Sequence, residues 1–173
     1  MRDHTNADDR WIPEEEYQVI CAQVPILCVD LLPIIDNDGC FGLIERDTYA
    51  GKRGLNLIGG SVLIDEPIPD ALDRHLHASL GGAANLDHKS VRFVGVYQYY
   101  KKAREGQLHD PRKNAVSLTY VGNVSGPLSP GGEALAFHKF PVSRPPGMES
   151  FGFSQGPVVY DGLALIRSSA TLF

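Results

Sequence analysis

The apolar and polar positions fall into short blocks. From Ile26 to Ile35 the chain is almost unbroken Ile, Leu and Val, the pattern of a strand buried on both faces. Asp36-Asn37-Asp38-Gly39 is a turn cluster and Cys40–Arg46 reads as the returning strand, so the pair predicts a hairpin. Ahead of it, Pro13 followed by Glu14, Glu15 and Glu16 predicts a short helix. Proline suits the first helical position, and carboxylates suit the positive end of the helix dipole. Asp47–Gly54 reads as a loop, Leu55–Ile58 as a short strand that runs into Gly59-Gly60, and Ser61–Ile64 as extended chain.

The clearest helix follows. Ile68, Leu72, Leu76 and Leu80 recur every four residues and make one apolar stripe. Pro67 and Pro69 stand at its start, and Gly81-Gly82 follow its end, where a left-handed residue is favoured. Val91–Tyr100 and Ala115–Val124 predict two more strands, joined by a charged loop, Lys101–Asn114. Ser125–Gly132 is a Pro/Gly loop, Ala134–Phe140 a short strand, Arg144–Gly156 irregular, and Val158–Ser169 a closing helix. Strands mixed with a few helices predict an α/β fold in which a mixed sheet is covered by helices. Residues 1–12 read as a polar tail and 13–173 as one domain.

Composition narrows the function. A chain of 173 residues with 43% hydrophobic and 21% charged residues is an ordinary globular protein, not a disordered one. The apolar runs at Val24–Ile35 and Val158–Ile166 are broken by Asp30, Pro33 and Asp161, short of the ~18 residues of a membrane span. A net charge of −5 argues against a non-specific grip on nucleic acid. Three cysteines, Cys21, Cys28 and Cys40, form no CxxC pair, and the polar N-terminus lacks a signal-peptide core. Together these predict a cytoplasmic protein without disulfides.

The stretch Gly60–Gly81 carries the chemistry. A Gly is followed after five residues by Glu66, after seven more by Arg74, and after six more by Gly81. This spacing resembles the Nudix box, G-x5-E-x7-R-E-U-x-E-E-x-G-U with U aliphatic, and the resemblance spans roughly residues 20–142. It implies a Nudix-like α/β/α sandwich and a hydrolase of nucleoside diphosphate-linked compounds, with Mg²⁺ or Mn²⁺ as cofactor. In the family the box glutamates and the first Gly carbonyl hold the metal, which neutralises the pyrophosphate. Here R-E-U-x-E-E becomes Arg74-His75-Leu76-His77-Ala78-Ser79, so all three carboxylates are replaced. Gly60, Glu66, Arg74 and Gly81 remain. Glu133 stands where many members place a late carboxylate, so Glu133 and Gly60 are the candidate metal ligands.

Each helical residue turns by about 100°. Positions 78 and 79 therefore share the face of His75, which points where the missing glutamate would. His77 falls on the far side beside Asp70 and Asp73, and the spacing predicts surface pairs Asp73–His77 and Asp70–Arg74 rather than a metal site.

One branch matches more closely. GDP-mannose mannosyl hydrolases of the Nudix superfamily also have a modified box, and Gly59–Glu66 and Arg74–Gly81 resemble it without gaps. Val24-Pro25-Ile26, Val29-Asp30-Leu31, Glu45-Arg46 and Phe93–Gln98 also match. In that branch water attacks the sugar carbon, and an Asp and an Arg at positions like Asp30 and Arg46 act on the substrate. The resemblance implies catalytic roles for His75, Arg46 and Asp30, with Arg46 also binding substrate. His109–Arg112 and Ala115–Leu118 resemble an uncharacterised Nudix-related group.

Three further signals stand in the residues alone. Tyr97, Tyr99 and Lys101 are candidates to stack a base and hold phosphate, against the reading of half-buried strand residues beside a solvated lysine. Gly152-Phe153-Ser154-Gln155-Gly156 matches a nucleophile elbow, but no His follows His138 to complete a triad, so it reads as a Gly-rich loop. Cys28 reads as core. The expected partner is a small nucleotide-linked molecule, with no nucleic acid and no membrane, and a homodimer left open. The rival reading is a catalytically inactive ligand-binding or regulatory module of the same fold.

Overall fold

The computed structural model describes residues 10–35, 39–49 and 51–170. The first nine residues of the expected tail and most of the turn cluster at 36–39 lie outside them. Trp11, also placed in that tail, lies against the box: the Arg74 guanidinium stands 5.6 Å from its ring centroid.

Helix α1 spans Glu14–Gln23 and leads into strand β1, Ile26–Ile35. Strands β2 (Cys40–Asp47), β3 (Arg53–Asn56) and β4 (Ile58–Ser61) follow, then helix α2 (Ile68–Leu80). After it come β5 (Asn85–Leu86), β6 (Arg92–Tyr100), β7 (Leu108–His109), β8 (Ala115–Ser125), β9 (Ala136–Pro141) and helix α3 (Gly156–Ala170). Two 3-10 turns, Met148–Ser150 and Gly152–Ser154, occupy the stretch expected to be irregular.

The sheet is mixed, as the block pattern predicts. Its main path runs β3-β2-β1-β8-β6-β7, with β4 on β1, β5 on β8 and β9 on β2. β1 is its axis. It pairs in parallel with β8 over its whole length, with β2 only at Ile34 and Ile35, and with β4 from Cys28 to Leu31. β2 thus splays away from β1, and β4 fills the gap.

Side chains alternate across β1. Val29 and Leu31 join Ile44, Ile58, Ala71, Leu72, Leu76 and Leu80 under α2. Leu32 faces the other way, with Phe41, Leu43, Val121, Val158, Val159 and Leu163 under α3. Cys28 lies with Cys21, Tyr99 and Phe153 beside α1. This gives the α/β/α layering. Leu72, Leu76 and Leu80 are at most 2% exposed, so the four-residue stripe is the buried face of α2. Truncating Leu76 to alanine should cost about 2–5 kcal/mol. Gly81, at φ 85°, ends the helix and donates its N–H to the His77 carbonyl.

Four local expectations are corrected. Leu55–Ile58 is not one strand: it breaks at Leu57, whose N–H donates to Gln155 Oε1 at 2.9 Å. The charged loop 101–114 contains β7. Asp73 pairs with His88 at 2.8 Å and His77 Nε2 donates to the Ala84 carbonyl, in place of an i,i+4 pair. Arg74 turns back to Glu66 instead of to Asp70.

Among the described residues no helix is long and apolar enough to cross a membrane. Burial pushes the Cys28 thiol up to about 11, which suits its place in the core.

Candidate functional site

The box loop is built around one ion pair. Arg74 donates through Nε and Nη2 to the two oxygens of Glu66, at 2.6 and 2.7 Å. Glu66 also accepts the Leu63 N–H at 2.9 Å. The bonds from Arg74, first, hold the Glu66 carboxyl below its usual range. These residues fix the loop between β4 and α2.

His75, on α2, packs against the end of β4 where this loop begins. Its Nε2 stands 3.0 Å from the Ser61 carbonyl oxygen, which Arg74 Nη2 also reaches at 2.9 Å. A carbonyl only accepts, so Nε2 carries the proton and Nδ1 is the nitrogen left with a lone pair. Burial, and next the neighbouring Arg74, push the His75 pKa down, so the ring is neutral near pH 7. The double glycine explains the close fit. A Cβ at Gly60 would sit 2.6 Å from His75 Cε1, and one at Gly59 2.5 Å from Asp30 Oδ1. Successive strand residues point to opposite faces. His75 and Asp30 therefore lie on opposite sides of β4.

Asp30 is 7% exposed and accepts from Ser117 Oγ at 2.6 Å and Tyr99 OH at 3.3 Å. Tyr99 OH accepts in turn from Gln155 Nε2 at 3.0 Å. Burial pushes the Asp30 pKa up, against the two hydroxyl donors that favour its charged form.

Arg46 lies near the end of β2 with its side chain only 13% exposed. One nitrogen, Nη2, stands 2.6 Å from Glu133 Oε2. Its Nε–H is buried and has no hydrogen-bond partner among the described residues. Charges on Glu133, Arg112, Asp110 and Asp30 all act on Arg46, and Glu133 acts on His75 as well. Asp30 and Glu133 thus act on Arg46, and Glu133 is what this cluster has in common with His75, which lies on the other side of β4. The loop Ser129–Gly132 brings Glu133 to Arg46. It caps the end of α2, with Ser129 and Gly131 donating to the Leu80 and Ser79 carbonyls at 2.8 and 3.0 Å.

Tyr97 is half-buried and Tyr99 is buried. Tyr97 OH donates to Asp161 on α3 at 2.8 Å, and Tyr99 is buried on Asp30. Lys101 is exposed in the turn after β6. His138 pairs with Glu45 at 2.8 Å.

Residues that the sequence did not single out complete this neighbourhood: Ser117, Gln155, Asp110, Arg112 and Phe153. Arg112 and Ser117 stand in the segments resembling the uncharacterised group. Phe153 and Gln155 come from the G-x-S-x-G loop, where a Gly-rich motif was the available signal.

The residues present do not fit a box-held Mg²⁺ or Mn²⁺. Such an ion takes oxygen ligands, chiefly carboxylates. The helix offers His75, Ala78 and Ser79, and the His75 nitrogen facing the loop is spent on Ser61. Glu133 is engaged by Arg46. Among the described residues no group of three His, Cys, Asp or Glu side chains could hold an ion. Two hollows, of about 580 and 310 Å³, contain none of Asp30, Arg46 and His75.

Known proteins place this geometry. A possible asymmetric diadenosine tetraphosphate hydrolase from Jonesia denitrificans superposes with a TM-score of 0.72 at 26% identity, over 82% of this chain and 94% of its own. A MutT/nudix family protein from Enterococcus faecalis gives 0.64 at 16% identity, over 92% and 71%. The low-salt glycan biosynthesis protein Agl8 of Haloferax volcanii is 30% identical over 100 residues, 56% of this chain. The match spans 63% of that relative's length. The fold is that of the Nudix hydrolases. A family model described as a domain of unknown function, DUF4916, matches residues 7–164, and the chain belongs to that family.

Proposed function

We propose that the protein hydrolyses a nucleoside diphosphate sugar or a related nucleoside diphosphate-linked compound, with Arg46 in place of a box-held metal as the main counter-charge. The observation that carries this reading is Arg46 itself. A guanidinium 13% exposed keeps an unspent Nε–H, beside a glutamate that also acts on His75. Buried donors with nothing to donate to are costly, and a phosphate oxygen is a suitable acceptor.

In this reading water attacks the sugar carbon. The new carbon–oxygen bond forms as the bond from that carbon to the diphosphate oxygen breaks. The diphosphate leaves intact, stabilised by Arg46, and the water proton passes to a base. His75, neutral with Nδ1 unprotonated, is the proposed base, and Asp30 holds Tyr99 and Ser117 in place behind the site. Lys101 is proposed to meet a phosphate of the ligand, and Tyr97 and Tyr99 to border the same substrate. The Agl8 relative, named for glycan biosynthesis, supports a sugar-linked substrate.

A second reading, an inactive ligand-binding or regulatory module, is favoured by the replacement of the three box carboxylates on α2 and by the bond from His75 to Ser61. A panel of nucleotide sugars, dinucleoside polyphosphates and ADP-ribose, assayed with and without Mg²⁺ or Mn²⁺, separates the two. Turnover of a nucleotide sugar is expected. Binding without turnover across the panel would favour the module.

A further inference from the structure

Arg112 and Phe153 meet Arg46 although neither belongs to the box. The guanidinium carbons of Arg46 and Arg112 stand 5.6 and 4.8 Å from the centroid of the same Phe153 ring. Two cations that share one ring lie within about one screening length, ~10 Å, so they repel. An anion between them would relieve that repulsion.

Each arginine is shown in a direct ion pair with one carboxylate, and the two carboxylates differ. Asp110 grips Arg112 through both oxygens, at 2.9 and 2.8 Å, and also accepts the Arg112 backbone N–H at 3.0 Å. It is 5% exposed and is part of the framework. Glu133 meets Arg46 at 2.6 Å with a side chain 49% exposed, so it is the carboxylate that can swing into water. The Arg112 side chain, 48% exposed, stands at the same rim.

Phe153 is held there at a cost. Phe153 and Ser154 take φ of 52° and 59°, two successive non-glycine residues in the left-handed region. Such backbone strain clusters where a ligand is clamped.

We propose that Arg46, Arg112 and Phe153 form a binding site for a diphosphate group, in which Glu133 occupies the anion position until the ligand displaces it. Guanidinium forks match phosphate oxygens, and the buried Arg46 Nε–H supplies a donor that Glu133 leaves unused. The site deepens the proposed function and rests on it for the class of ligand.

The test is calorimetric titration of the full chain with inorganic pyrophosphate, without added metal. Three proteins are compared: wild type, Glu133→Gln and Arg112→Lys, each checked for folding by circular dichroism. Both substitutions are at half-exposed side chains, and lysine keeps the charge while losing the fork. Glu133→Gln is expected to tighten pyrophosphate binding several-fold, and Arg112→Lys to weaken it about tenfold, as loss of a charge-assisted fork would. Any other pattern overturns the site, including absence of binding by the wild type. The readout does not depend on turnover. The expected shifts in a protein that hydrolyses nothing would leave the site standing and remove only the hydrolase reading. Unchanged affinities in an active hydrolase would remove only the site.

Discussion

The Nε2–H of His75 donates to the Ser61 carbonyl at 3.0 Å, and the His75 ring covers Gly60 so closely that no Cβ fits between them. The three heavy atoms nearest a Cβ built at Gly60 all belong to that imidazole, at 2.6, 3.2 and 3.3 Å. Gly60→Ala should therefore cost about 1–3 kcal/mol by overpacking. In a His75→Ala background most of that cost should vanish. Denaturant unfolding of the four proteins in the cycle checks this, with a coupling of about 1 kcal/mol or more expected. Gly59→Ala serves as the contrast. Its Cβ would meet the Val29 carbonyl at 2.1 Å, a backbone clash that removing the His75 side chain does not relieve.

The same imidazole makes stability depend on pH. Burial and Arg74 hold its folded pKa below the ordinary 6.5, while Glu66 and Glu133 oppose them. The unfolded chain thus takes up the proton first. The contribution is complete above pH 6.5 and is lost as pH falls from there through the folded value. Urea midpoints measured from pH 7.5 to 5 should fall more steeply for wild type than for His75→Gln. Equal slopes would show that the ring titrates as freely in the folded protein as in the unfolded chain.

Asp30 tests the other side of β4. Asp30→Ala leaves the hydroxyls of Ser117 and Tyr99 without their shared acceptor, and should cost about 2–4 kcal/mol. Asp30→Asn keeps an acceptor and removes a charge that burial disfavours. Its cost should stay below about 1 kcal/mol, read from the same unfolding midpoints.

Metal affinity follows from the residues on α2. With Ala78 and Ser79 in place of carboxylates and Glu133 engaged by Arg46, the protein alone should bind Mg²⁺ weakly. Calorimetry at neutral pH should show little heat. A micromolar dissociation constant, about −8 kcal/mol, would reveal an oxygen cluster outside those positions.

The sequence made some elements legible and others not. β1 and α2 appear with the expected bounds because each carries its own period: an unbroken apolar run, and a stripe every four residues. β5 and β7 are two residues long and exist only by pairing with β8 and β6, so no local pattern announces them. The break at Leu57 depends on Gln155, 98 residues away. At the site, Glu66 and Arg74 were readable from spacing, and their ion pair is present. The side of β4 on which each candidate lies was not, because it depends on how β4 pairs with β1. Arg112 and Phe153 were missed for a similar reason. A charged loop and a Gly-rich loop look like solvent-facing chain until the sheet brings both against Arg46.

The central claim is attack at the sugar carbon with Arg46 as counter-charge, and an isotope experiment tests it most directly. The nucleotide sugar that the panel identifies is hydrolysed in ¹⁸O water by wild type and by Arg46→Ala, and both products are examined by mass spectrometry. The account predicts label in the sugar, none in the nucleotide diphosphate, and a loss of rate of about 100-fold or more in Arg46→Ala, the scale for removing one donor to a developing anion. Label in the phosphate would contradict it.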